Sequence, residues 1–222
     1  MDNGAIIISI LTSVFGSAVV TVILLLAVER QRRPYLSFYR EEPPAPPLVA
    51  DGKNAVILRI YVSNRGIPRP LSVVYDREPA QSCRASIAFY DLNKIRVYSS
   101  EMPCRWSDTP NPILMFVQGQ GGQSVPVVTN SEYLRNSFDI PPGSETLLDV
   151  AIRCEGETEC YGWNNDYAQY RGKNPDWKLK EGQYFIRLTV KTGGRSFVSC
   201  FRLINENEFR LEPAPLSACP PA

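Results

Sequence analysis

The residues best equipped for recognition chemistry fall in one stretch, residues 155–178. It holds Tyr161, Trp163, Tyr167, Tyr170 and Trp177 among Asn164, Asn165, Asp166, Asn174 and Asp176. Large rigid aromatic faces beside amides and carboxylates are what glycan or peptide binding uses, because a plane supplies contact area and the amides supply direction. The competing expectation is a compact surface loop whose rings pack on the loop itself. The alternating carboxylates and closing bidentate Glu of a calcium loop are missing. A second stretch, Gln118-Gly-Gln-Gly-Gly122, has the glycines of a phosphate cradle but no Lys, and Val125-Pro126 follow where a helix would have to start. It reads as a hairpin tip.

The chain contains no histidine. That excludes Ser-His-Asp and Cys-His catalysis, His-ligated zinc and His-ligated haem. No pair of carboxylates is singled out by spacing. We therefore name no catalytic residue and expect a non-enzyme without cofactor or metal. The six cysteines, 83, 104, 154, 160, 200 and 219, form no Cys-x-x-Cys pair, so a zinc ribbon or thioredoxin-type site is not expected. They allow 15 complete pairings. The nearest two, Cys154 and Cys160, are placed to clip the start of the aromatic segment with a disulfide.

What positions such a segment begins with the N-terminus. Residues 1–4 form a short tail. Residues 5–28 carry no charge over 24 positions, a helix of about 36 Å where a bilayer core needs about 20 residues. A secretory signal would have a basic start and a shorter apolar run, so the expectation is an uncleaved transmembrane signal-anchor. Arg30, Arg32 and Arg33 follow it and no Lys or Arg precedes it. The positive-inside rule then puts the collar and the domain in the cytoplasm, with the cell surface as the alternative. Disulfides are rare in the cytosol, so this orientation and a Cys154–Cys160 bridge pull against each other. Ala5, Ser9, Ser13, Ser17 and Thr21, with Gly16 beside them, form a small-residue stripe that suits helix–helix packing and a homo-oligomer.

Whole-chain charge is 24 Lys+Arg against 23 Asp+Glu. Three of the former and two of the latter lie before residue 34, which leaves 21 of each sign for the remainder. A neutral domain without a basic run offers no footprint for nucleic acid and none for charge-held lipid binding.

Residues 29–53 read as a basic collar and Pro-rich juxtamembrane segment with a short strand at 35–39. Residues 54–211 read as a β-rich domain with insertions near 99–123 and 155–178, and residues 212–222 as a disordered Pro/Ala tail. Strands are expected at 55–62, 85–90, 95–98, 124–129, 146–152, 184–190 and 196–203, the last two joined by Thr192-Gly-Gly194 as a hairpin. Pro126 confines its strand to an edge. Together these predict an all-β antiparallel sandwich behind one N-terminal helix.

Val62-Ser-Asn-Arg-Gly66 with its Pro-containing turn and the Cys83 strand, Ile140-Pro-Pro-Gly143 before a strand, and Leu179-Lys-Glu-Gly182 before Tyr184 resemble the immunoglobulin-like modules of archaeal and bacterial membrane and surface proteins over residues 54–205. The resemblance implies an Ig-like fold and no particular activity. The functional expectation is a membrane-anchored, non-catalytic interaction or scaffold module that binds a protein or glycan through its loops. A pilin-like filament subunit is one alternative: Gly4-Ala5 sits where a leader would be cut, although no basic residue precedes Gly4 and the three arginines would crowd a filament core. An accessory or regulatory subunit of a membrane enzyme or transporter is another.

Overall fold

The computed structural model describes residues 3–42, 48–50, 53–68, 76–110, 114–118, 124–128, 136–168 and 173–220, with side chains in the N-terminal helix described from Gly16 onward. That helix, α1, runs Asn3–Arg32 and carries Arg30 and Arg32 in its last turn, where a cation favours the negative end of the helix dipole. Among the described residues, no helix is long and apolar enough to cross a membrane. Pro34 ends α1, since it cannot continue the hydrogen-bond ladder. Strand β1 (Leu36–Arg40) starts at once.

The first sheet is built on β3 (Lys53–Asn64) and β10 (Glu145–Cys154). Its order is β1-β3-β10-β11-β12, where β11 is Cys160–Gly162 and β12 is Lys178–Leu179. Two short strands join it: β2 (Leu48–Ala50) on β3 and β6 (Arg105–Trp106) on β10. The second sheet has the order β15-β14-β13-β4-β5. Its members are β4 (Ala80–Tyr90), β5 (Met102–Pro103), β13 (Gly182–Thr192), β14 (Arg195–Asn205) and β15 (Phe209–Ala214). Strand β9 (Phe138–Ile140) pairs with β4, and β7 (Leu114–Gln118) pairs with β8 (Ser124–Val128) as a separate hairpin. All these pairings are antiparallel, and the fold is an all-β sandwich.

Alternation creates the core. Ile60 and Val62 of β3 face Ile87 and Phe89 of β4, Ile186 and Leu188 of β13, and Phe201 and Leu203 of β14 in one buried cluster. A bulge between Asp149 and Ala151 adds a residue to β10 and reverses its facing. Leu148, Val150 and Ala151 therefore all join the core. Ile152 and Cys154 turn outward into a second cluster with Ala55, Ile57 and Trp163.

Most expected strands appear within a few residues of their expected limits. Three readings need correction. Residues 95–98 form no strand; after the tight 91–94 turn the chain touches the free edge of β4 only through an isolated Tyr90–Arg96 bridge, and β5 takes that edge further back, at Ser86 and Ile87. Residues 212–220 are not a disordered tail. Strand β15 runs through Pro213 to Ala214 on the sheet edge, where no partner needs the missing proline N–H. The expected Cys154–Cys160 bridge is not formed. The bulge and the turn at Gly156 place the two thiols on opposite faces of the first sheet, Cys160 in the core and Cys154 in the outer cluster. The disulfide joins Cys200 to Cys219 instead, with Cα atoms 5.9 Å apart.

Candidate functional site

The aromatic segment folds into the sheet. Its first residues become β11 on the edge of β10, and its last become β12 on β11. Asn164 Oδ1 accepts from Asp166 N–H at 3.1 Å, and Asn174 Oδ1 accepts from Asp176 N–H at 3.0 Å. These Asx turns open the two short 3-10 segments, Asn165–Ala168 and Pro175–Trp177. The amides are thus used in shaping the loop. Trp163 is only 5% exposed and Trp177 9%. Trp177 packs edge-on to Tyr98 at 5.0 Å in the main core, whereas Trp163 and half-buried Tyr161 belong to the outer cluster. The two indoles therefore lie on opposite sides of one sheet and share no binding face. Burial raises the Tyr161 phenol above its ordinary range. The side chain of Tyr167 and all of Tyr170 lie outside the described residues.

Beneath this loop is a buried ionic centre. Asp149 Oδ1 accepts from Arg59 Nε at 2.8 Å and from Ser107 Oγ at 2.7 Å. Arg105 Nε lies 3.6 Å from Asp149 Oδ2. The Arg105 guanidinium also donates to Asn165 Oδ1 at 3.2 Å and to the Thr109 carbonyl at 2.6 Å. Burial pushes the Asp149 carboxyl above the usual range, and the Ser107 hydroxyl and both guanidiniums pull it back. With its oxygens occupied and the residue buried, the centre ties β3, β6, β10 and the 165–168 turn together. It offers no group to a substrate.

The exposed chemistry is elsewhere. Leu92, Ile95, Val97 and Leu216 are 57%, 65%, 37% and 58% exposed. The 91–97 turn follows β4, and Asp91 shapes it: its Oδ1 accepts from Ile95 N–H and its carbonyl from Lys94 N–H. Lys94 holds a φ of 64° at the tip. The Lys94 ammonium reaches the Ser217 carbonyl at 3.2 Å. This sets the turn that carries exposed Leu92, Ile95 and Val97 beside the 3-10 segment that carries exposed Leu216. The C-terminal segment is itself strapped across the outer face of the second sheet. The Cys200–Cys219 disulfide holds it to β14, and Arg187 of β13 donates to the Pro220 carbonyl at 2.9 Å. Ala88 is in register with Arg187 and Arg187 with Cys200, so all three share that face, and Ala88 is buried there.

The 91–97 turn sits far from α1. Glu78, two residues before β4, donates its N–H to the Arg32 carbonyl at the helix end. The turn follows the other end of β4, about 34 Å away at 3.4 Å per residue. Apolar side chains grouped on a surface turn, edged by Lys94 and Arg96, suit contact with a protein. The sequence signal for it is faint: Leu92 falls in the polar turn 91–94, and Ile95 and Val97 alternate and read as a strand. Leu216 carries no signal of its own.

Among the described residues no group of His, Cys, Asp and Glu side chains is arranged to hold a metal ion. No protein-family model matches the chain, and no curated protein matches it.

Proposed function

We propose that this protein is a membrane-anchored, non-catalytic interaction module: α1 crosses the bilayer, and the sandwich carries the 92–97/216 patch outward to a partner protein. The observation that carries the reading is α1 itself. Its described apolar residues from Val19 to Leu26 stand 54–64% exposed with no described part of the sandwich over them; too short to span a membrane by themselves, they continue the uncharged run that starts at residue 5. Seven large aliphatic side chains in water are costly, at roughly 1.5–3 kcal/mol each, and a bilayer removes that cost. The Ig-like character of the sandwich belongs to the same proposal. It rests on the Gly-containing turns after β3 and before β10. Alkaline carbonate extraction of cell membranes tests the anchor. The full chain stays in the pellet and Leu24→Arg/Leu25→Glu releases it; release of the unmodified chain overturns the reading.

A second observation bears on sidedness. The collar arginines favour a cytoplasmic domain, but the Cys200–Cys219 disulfide supports the cell-surface alternative, since such bonds persist in oxidising compartments. Alkylation of the full chain unfolded in denaturant without reduction, so that the buried thiols react, followed by mass measurement, decides it. Two protected cysteines place the sandwich on the oxidising side, and six alkylated ones place it in the cytoplasm. An N-terminus cut at Gly4 would favour the pilin-like alternative.

A further inference from the structure

We infer that the α1-proximal end of the sandwich is a docking face for the anionic headgroups of the leaflet from which α1 emerges. The inference rests on the anchoring reading and adds a surface to it.

The neutral total of the domain conceals an uneven distribution. Strand ends and loops from across the fold converge on residues 29–35, and they bring arginine. Arg77 donates to the Arg33 carbonyl and Arg195 to the Pro34 carbonyl, each at 3.2 Å. Arg65 and Arg77 both lie over the Tyr35 ring, at 5.9 and 5.6 Å. With Arg30, Arg32 and Arg33 this makes six guanidiniums around the foot of the helix, none of them fully buried. Among the described residues there, the carboxylates are Glu29, Asp76 and Glu78, and one ion pair forms, Arg32 to Glu78 at 3.9 Å. The excess is therefore about three positive charges.

Geometry agrees with charge. A cavity of about 620 Å³ opens at this foot, lined by Glu29, Arg33, Glu78, Gln81, Thr192 and Arg195 among others. Half-exposed Tyr35 has the polar-tipped aromatic character that favours the headgroup layer. A guanidinium that spends one or two donors on a backbone carbonyl keeps the others for phosphate. Juxtamembrane arginines attract anionic lipid within about a Debye length, and only three residues separate α1 from β1, so this face cannot be far from the headgroups once α1 is inserted.

The test uses the full chain in vesicles, labelled at Ser196→Cys on the exposed hairpin beside Arg195 with an environment-sensitive fluorophore. The vesicles carry a headgroup-attached nitroxide quencher and are made of zwitterionic lipid alone or with anionic lipid. Flotation after alkaline wash checks the anchor separately; a chain that fails to float overturns the anchoring reading and this inference with it. With the anchor in place, quenching is expected to rise in anionic vesicles and to fall back at high salt. Each arginine removed should lower the docked-to-free ratio about fivefold. Arg65→Gln, whose side chain among the described residues meets the Tyr35 ring, is the mildest variant, and Arg65→Lys should restore docking. Equal quenching in both vesicle types, or no response to Arg65→Gln and Arg195→Gln in chains that retain their β-sheet circular dichroism, overturns the docking face while leaving the anchor intact.

Discussion

Gly162 shows how tightly single residues are committed. A Cβ there would meet Met102 Sδ at 2.5 Å and Trp177 Cβ at 3.0 Å, both in the core. Gly162→Ala should cost about 1–3 kcal/mol through overpacking, seen as a lower urea midpoint at unchanged slope. Asp149→Ala should cost more, about 3–5 kcal/mol, because it leaves the buried Arg105 charge uncompensated; the same denaturant curves measure it. Two carboxylates respond to acid in opposite directions. The Lys173 hydrogen bond, with help from Lys53, holds Glu157 below its ordinary range. Its stabilisation is present at neutral pH and lost as pH falls through the folded value, so the stability gap between the unmodified chain and Glu157→Gln should close on acidification. Asp149 is raised, so its share of stability is greatest at low pH and declines as pH rises through its folded value. Burial pushes the Cys160 thiol to about 12 and Cys83 and Cys104 upward as well. These thiols should ignore a thiol reagent in the folded protein and react only with unfolding. Side-chain packing explains why the aromatic segment misleads in the sequence. Trp163 and Trp177 are spaced like a binding strip, yet the β11 and β12 pairings that bury them depend on contacts with β10, distant from Trp177 in the chain and unmarked by any local pattern.

At the scale of elements, legibility follows local information. The β13–β14 hairpin is readable because 2-residue alternation flanks Gly193 and Gly194, whose φ values of 50° and 74° are those a tight hairpin turn requires. Strands β3, β4 and β10 are readable for the same reason. Strand β15 is not, since Pro213 argues against it until the edge position is known. Nor is the disulfide, because pairing is a property of which faces meet. Cys200 and Cys219 are 19 positions apart. Replacing both with Ser should lower stability by about 3 kcal/mol on loop-closure entropy, read as a fall in Tm that reductant reproduces in the unmodified chain. The strap would then lift from Ala88, and Leu216 would leave the apolar patch. The small-residue stripe has changed meaning in part. Thr21 Oγ1 donates to the Ser17 carbonyl of its own helix at 2.8 Å, which removes one hydroxyl from any cross-helix bond. Ala5, Ser9 and Ser13 have side chains outside the described residues.

At the scale of the molecule, the helix and the head are joined with almost no slack. Three residues separate them, and domain groups hold the last carbonyls of the helix and collar: Glu78 N–H on Arg32, Arg77 on Arg33, Arg195 on Pro34. The exposed apolar residues 92–97 and Leu216 lie at the opposite end of strands about 34 Å long. Leu92→Asp/Ile95→Asp should therefore abolish site-specific crosslinking from position 94 while leaving membrane flotation and any headgroup docking untouched. The stiffness of the joint has a mechanical consequence. A flexible tether would let the head wander independently of the helix, whereas with α1 inserted as proposed the head is a lever whose fulcrum is the bilayer surface. A change in helix tilt of about 20°, within the range membrane helices adopt, would sweep the far patch through roughly 12 Å. Bilayer thickness and helix packing would then set how far from the membrane, and at what angle, a partner is met.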